Sequence, residues 1–176
     1  MVGQLNWVAT QSRPDMSYTV VELSAKTKTP EMEDLKRINK AFTYLTSNLT
    51  TFLFPKLSGD LHIETFSDAA FRNLPDKILS GAGHIVFLKD KNGKTGTLGW
   101  SSNKIKPAEA LSLQVTISHA IFLRAILAEI LGVEDRKLPI VCNVDSNNLY
   151  QAVYSTKFVE DKCLRLDIAQ IQECRD

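Results

Sequence analysis

Four acidic residues recur in an order that can do hydrolytic chemistry: Asp68 in "FSDAAF", Glu109 in "PAEALSL", Asp145 in "CNVDSNN" and Asp167 in "LRLDIAQ". Each has an ordinary explanation when taken alone. Glu109 stands where a first-turn acid favours the positive end of a helix dipole. Asp145 before Ser-Asn-Asn suits a helix N-cap. Asp68 suits a turn, and Asp167 beside Arg165 suits a solvated acid. Taken together they have another reading. Asp68 and Asp145 each come at the C-terminal end of an expected strand, where open sheets place ligand sites. Glu109 and Asp167 each come in the first turn of an expected helix. A cluster of such carboxylates repels itself unless cations sit in it. Hard oxygen donors suit Mg²⁺ or Mn²⁺. Two such ions about 3.5–4 Å apart activate a water and stabilise a leaving oxygen in phosphodiester hydrolysis. The expected cofactor is therefore a pair of Mg²⁺ or Mn²⁺ ions on these acids, with no small-molecule cofactor.

Other chemistry-bearing residues are plainer. His84 lies in an expected strand and His119 in mid-helix, and neither has a partner at ligand spacing. Trp100 ends a strand and reads as core, and Cys142 reads as a small buried hydrophobe. The cysteines Cys142, Cys163 and Cys174 are odd in number and none is in CxxC spacing. That pattern predicts a reducing, intracellular, cytoplasmic setting without a zinc site. The chain has 176 residues, 44% hydrophobic and 23% charged, with formal net charge +1. This is globular composition, and it lacks the strong basic excess of many nucleic-acid binders. No stretch reads as approaching the roughly 20 apolar residues of a membrane helix, and "MVGQLNWVATQSRPD" lacks the pattern of a secretion signal.

The elements that must position the acids follow from periodicity. "VGQLNWVA" and "MSYTVVELSAK" read as helices separated by Ser12-Arg13-Pro14-Asp15, which offers an N-cap. Thr29 and Pro30 predict the start of a third helix, with Leu35, Ile38, Phe42 and Leu45 on one stripe and Lys36, Arg37 and Lys40 opposite. Around "FPKLSGD" the period changes from helical to alternating, which places a boundary between residues 1–57 and 58–176. "LHIETFSDA" is an alternating strand. Residues 82–89 and 95–101 are two more, joined by Asn92-Gly93, a strong hairpin signal. A long helix over residues 108–131 follows, with Pro107 before it and Gly132 after it. "KLPIVCNVD" reads as an apolar strand buried on both faces. "SNNLYQAVYS" is a short helix, and Leu166, Ala169 or Gln170, and Ile171 have helical spacing in a last one, with a short strand possible near Cys163. The order β-β-β-α-β-α-α predicts an α/β or α+β fold with a mixed sheet.

Several ordered motifs carry a family resemblance over nearly the whole chain. "GQLNWVATQSRPD", "LKRINKAFTYL", "FSDAAF", "LGWSSNK", "AEALSLQ", "VDSNNLYQAVYST" and "VEDKCLRLDIAQIQE" resemble the ordered blocks at the C-terminal end of copia-type retrotransposon Pol polyproteins. The resemblance implies a helical tail of the reverse transcriptase over residues 1–57 and a ribonuclease H-like domain over 58–176, ending early in the family's last helix. It implies that Asp68, Glu109, Asp145 and Asp167 stand where the family's metal-binding acids stand, with Asp161 the alternative to Asp167. It implies hydrolysis of the RNA strand of an RNA/DNA hybrid, gripped through shape, phosphates and 2′-hydroxyls. Candidate contacts are Asn103, Lys104, Lys106, Asn147 and Asn148. The implied partners are the hybrid and the remainder of the reverse transcriptase, in a virus-like particle and without a membrane. One departure matters: "NKIKP" before Ala108-Glu109 is shorter than the family's segment. A displaced Glu109 predicts weakened catalysis, since about 1 Å of misplacement can cost 10²-fold. The competing expectation is a decayed fragment that only binds nucleic acid or a partner.

Overall fold

The computed structural model describes residues 1–70, 80–105, 109–154 and 168–172, excepting the side chains of Ala70, Ser80, Lys104, Ile105 and Glu109. Asp161, Asp167, Lys106, the segment around Cys163, and the side chains of Lys104 and Glu109 therefore lie outside what is described.

Three helices open the chain: α1 (Val2–Gln11), α2 (Ser17–Ala25) and α3 (Met32–Ser47). They close on one another through buried Leu5, Ala9, Met16, Val20, Leu23 and Ala41, with Ile38, Phe42 and Leu45 packed alongside. Leu35, expected on the same stripe, is 43% exposed, so the buried face of α3 begins one turn later. Its cap also differs from expectation. Glu31, not Thr29, is the N-cap, in a reciprocal capping box with Asp34, whose carboxylate accepts the Glu31 N–H at 3.0 Å.

Ser12-Arg13-Pro14-Asp15 turns out to be a brace rather than a cap. No side chain caps α2. Instead Arg13, only 6% exposed, donates Nε and Nη2 to the two Asp15 carboxylate oxygens at 2.9 and 2.7 Å, and Nη1 to the Asn48 carbonyl at 2.8 Å. Tyr44 Oη donates to Asp15 at 3.1 Å, and the guanidinium lies 5.4 Å from the Tyr44 ring centroid. The hydrogen bond to Asp15 holds the guanidinium pKa above its ordinary value, against burial, and the bond from Arg13 holds Asp15 below its own. The brace ties the α1–α2 turn to the far end of α3.

Among the described residues, the rest is a four-stranded mixed sheet with order β3-β2-β1-β4. β1 (Leu61–Ala70), β2 (Ser80–Asp90) and β3 (Thr95–Ile105) are antiparallel neighbours, and β4 (Ile140–Val144) runs parallel to β1. That is the mixed sheet the sequence predicts: three antiparallel strands, then a helix leading into a parallel one. Gly93 supplies the positive φ (81°) of the β2–β3 turn. Asp90 organises it: its buried carboxylate accepts N–H groups of Asn92 at 2.8 Å, Lys94 at 3.0 Å and Ser58 at 3.3 Å. Burial pushes its pKa up, but the backbone donors Lys94, Asn92 and Ser58 outweigh it and hold the carboxyl below its ordinary range.

The crossover from β3 to β4 runs through α4 (Glu109–Leu131), which ends before Gly132 at φ 65°. Ile63, Val86 and Ala120 form the centre of its contact with the sheet, with Leu88, Leu98, Leu123, Leu127 and Ile140 around them. α5 (Asn147–Tyr154) and the helical residues 168–172 close the other end through Ala110, Leu113, Leu149, Val153 and Ile171. In that last segment Ile168 and Ile171 are buried, while Ala169 and Gln170 face out.

Three expectations need correction. β4 is not buried on both faces: Val141 is 44% exposed and Cys142 is exposed, because among the described residues β4 is the edge strand beside β1. Trp100 is half-buried rather than core. And one helix is long and apolar enough to cross a membrane by length and composition: Ala110–Leu131, 22 residues with mean hydropathy 1.5. Here it lies on the sheet through Ala120, with Leu123 and Leu127 packed alongside, and exposes Phe122 and Ile130.

Two changes probe these cores. Ile63→Ala, at a fully buried site, is expected to cost about 2–5 kcal/mol in urea unfolding. Arg13→Lys keeps the charge but loses the planar fork that meets both Asp15 oxygens at once, and is expected to cost about 1–3 kcal/mol in the same measurement.

Candidate active site

The β1–β4 register sets the site. Ser67 pairs with Val144, so the next residues on the two parallel strands, Asp68 and Asp145, come side by side. Asp68 lies inside β1 rather than after it, paired across to Gly83. Asp145 directly follows β4. Both are exposed and line one groove of about 680 Å³. A small cleft beside it also touches both acids and Ser112 of α4. Ser112 Oγ donates to the Asp68 carbonyl at 3.4 Å, which anchors the first turns of α4 to this end of β1. Glu109 opens that same helix.

The local roles of Asp145 and its neighbours are now distinct. Ser146, not Asp145, caps α5: its Oγ accepts the Leu149 N–H at 3.2 Å. The Asp145 carboxylate is thus left for other use. Among the described residues, neither it nor Asp68 joins an ion pair. Asn147 and Asn148 are exposed in the first turn of α5. Asn103 is exposed near the end of β3 and donates Nδ2 to Ser101 Oγ at 2.6 Å. The structure therefore brings Asp68 and Asp145 together, with Asn147 and Asn148 following Asp145 in the chain.

Two exposed carboxylates on one groove are the donors that Mg²⁺ takes, since that ion commonly binds through one or two carboxylates plus substrate phosphates. The donor chemistry fits. Among the described residues, no group of three or more His, Cys, Asp or Glu is arranged to hold a metal.

Spacing alone did not reveal three other features of this region. His84 Nε2 and His119 Nδ1 are 2.8 Å apart, joining β2 to α4 across 35 positions. The His119 ring fills space above Gly99, where a Cβ would come within 3.0 Å of it. Trp100 donates Nε1 to the Ala9 carbonyl at 2.8 Å and stacks on Phe52 at 5.3 Å, fastening β3 to the helical region. And Pro14, Ser17 and Tyr18 of that region line the same groove as the two acids. Each is a contact between distant segments and leaves no periodic mark in the sequence.

No protein-family profile matches the chain. Sequence relatives do. The Retrovirus-related Pol polyprotein from transposon RE1 of Arabidopsis thaliana is 30% identical over 148 residues, covering 80% of this chain and 10% of that protein. The chain is similar to one segment of that Pol polyprotein. The corresponding RE2 polyprotein of Arabidopsis thaliana is 28% identical over the same share of each. The putative transposon Ty5-1 protein YCL074W of Saccharomyces cerevisiae is 28% identical over 106 residues, 60% of this chain and 33% of that protein. The chain thus spans about a tenth of the length of the two plant polyproteins. Among solved structures, LC11-RNase H1 from compost overlaps 65% of this chain and 75% of its own at 19% identity, TM-score 0.43. RNase H1 of Halobacterium salinarum overlaps 64% and 76% at 18% identity, TM-score 0.39.

The histidine pair yields a pH prediction. Burial, and then the charge of His119, push His84 from 6.5 down to about 4, and burial lowers His119 as well. Between those values the unfolded chain binds more protons than the folded one. The stability is therefore present above pH 6.5 and lost as pH falls toward about 4. Urea unfolding at stepped pH should show that decline, and His84→Gln should flatten it.

Proposed function

We propose that this chain carries the hybrid-specific ribonuclease of a copia-type retrotransposon Pol polyprotein: metal-dependent cleavage of the RNA strand of an RNA/DNA duplex. The observation that supports it best is the pair Asp68 and Asp145, set side by side by the register of the parallel strands β1 and β4 and open to one groove. In this reading residues 58–176 are the nuclease domain and residues 1–57 the helical tail of the reverse transcriptase. Mg²⁺ or Mn²⁺ would be held by Asp68 and Asp145 together with Glu109 and Asp167 or Asp161. When bound, the ions supply an activated water and stabilise the leaving oxygen. The chain's own part is to fix the two carboxylates by the strand register and to keep the Asp145 carboxylate out of helix capping, a task given to Ser146. Asn147, Asn148, Asn103, Lys104 and Lys106 hold the hybrid's backbone, whose sugars a nuclease reads by their 2′-hydroxyls.

The test is cleavage of a labelled hybrid by the full chain with Mn²⁺. Asp68→Asn and Asp145→Asn are each expected to lower the rate at least about 100-fold, the scale of losing one electrostatic contact to the reacting phosphate. An intact hybrid with wild-type protein overturns the catalytic reading. Hybrid binding that survives in both variants then identifies the chain as a binding remnant.

A further inference from the structure

We propose that Tyr18 and Phe66 form an aromatic wall that grips the nucleotide placed at Asp68 and Asp145, so that the helical region supplies part of the substrate groove. The inference rests on the proposed function and assigns residues that no acid-based reading includes. Tyr18 comes from α2 and Phe66 from β1, and both line the groove that holds the two acids. Phe66 precedes Asp68 by two positions, so it stands on the same face of β1. Both rings remain well exposed there, Tyr18 at 49% and Phe66 at 44%. Large exposed aromatics in a groove are a stacking surface, and Tyr adds a hydroxyl at its wet end.

The remaining lining argues for the same occupant. Gly81, Ala82 and Gly83 of β2 and Ser101 and Ser102 of β3 give the groove a low floor. No Lys or Arg is among the described residues that line it. A ligand held here is therefore held by ring contact and hydroxyls rather than by basic residues on its phosphates, which fits the sugar and base of a nucleotide. Nor is the helical wall loosely placed. Trp100 lines the groove, and its hydrogen bond to Ala9 and stacking on Phe52 fix the helices against β3.

The experiment uses the full chain and a labelled RNA/DNA hybrid, with affinity read by fluorescence anisotropy and cleavage read separately with Mn²⁺. Tyr18→Ala is expected to weaken binding about 5-fold to 100-fold, the range for removing one aromatic contact. Tyr18→Phe restores most of it, and the salt slope stays unchanged, because the ring neutralises no phosphate. If circular dichroism shows that Tyr18→Ala misfolds, Phe66→Ala carries the same expectation. Unchanged affinity in a folded ring-deleted variant overturns the wall while leaving the nuclease reading in place. Binding that weakens without Tyr18, from a wild type that does not cut, supports the wall and overturns catalysis. A wild type that neither binds nor cuts overturns both.

Discussion

The parallel pairing of β1 with β4 is the constraint on which the site depends. Parallel neighbours cannot be joined by a tight turn, so the chain needs a crossover between β3 and β4. α4 is that crossover, and it must bury a face against the sheet to be stable. Ile63, Val86 and Ala120 satisfy that demand at its centre. The same geometry sets Asp68, inside β1, beside Asp145, which directly follows β4, so that both acids line one groove. Slipping the register by one residue would turn every side chain of β4 to the opposite face. The site is thus a product of packing well away from it.

The sheet is held from both sides by devices that use charge sparingly. On the α4 side the half-buried polar link is His84 to His119, whose rings burial holds toward the neutral form. On the other side Trp100 reaches the carbonyl of Ala9. At the far end of β2, Asp90 gathers three backbone N–H groups and fixes the hairpin from which β3 returns. Because the hairpin fixes how β3 lies on β2, it also fixes where Trp100 presents its indole. The helical region is thereby seated over the groove by a chain of contacts beginning at a turn.

Much of this was legible in the sequence because it is local. The Asn92-Gly93 turn, the alternation of "LHIETF" and the apolar run closed by Gly132 each have a period or a breaker to read. The pairing of Asp68 with Asp145 followed from two strand ends plus one crossover. What stayed hidden depends on long-range geometry. Arg13 and Asp15 looked like punctuation, since nothing in "SRPD" announces that its partners are Tyr44 and Asn48. Cys142 and Val141 looked buried, since an apolar run does not say whether its strand is central or at an edge. The capping roles were misplaced by one or two residues, at Ser146 and Glu31, because neighbouring polar residues compete for the same N–H groups.

The charge distribution makes a last demand on how such a groove would work. Net charge is +1, and the groove's described lining holds two acids and no Lys or Arg. An anionic backbone laid against those acids meets repulsion at short range. On the proposed function, cations held by Asp68 and Asp145 would offset that repulsion, since Mg²⁺ commonly binds through carboxylates together with substrate phosphates. Binding of ion and hybrid is then one coupled equilibrium, in which each raises the other's affinity by the same factor. Aromatic and hydroxyl contacts supply the part of the grip that does not vary with the ion. A groove poor in fixed positive charge is therefore consistent with a nucleic-acid substrate, provided its charge is balanced by ions held on Asp68 and Asp145.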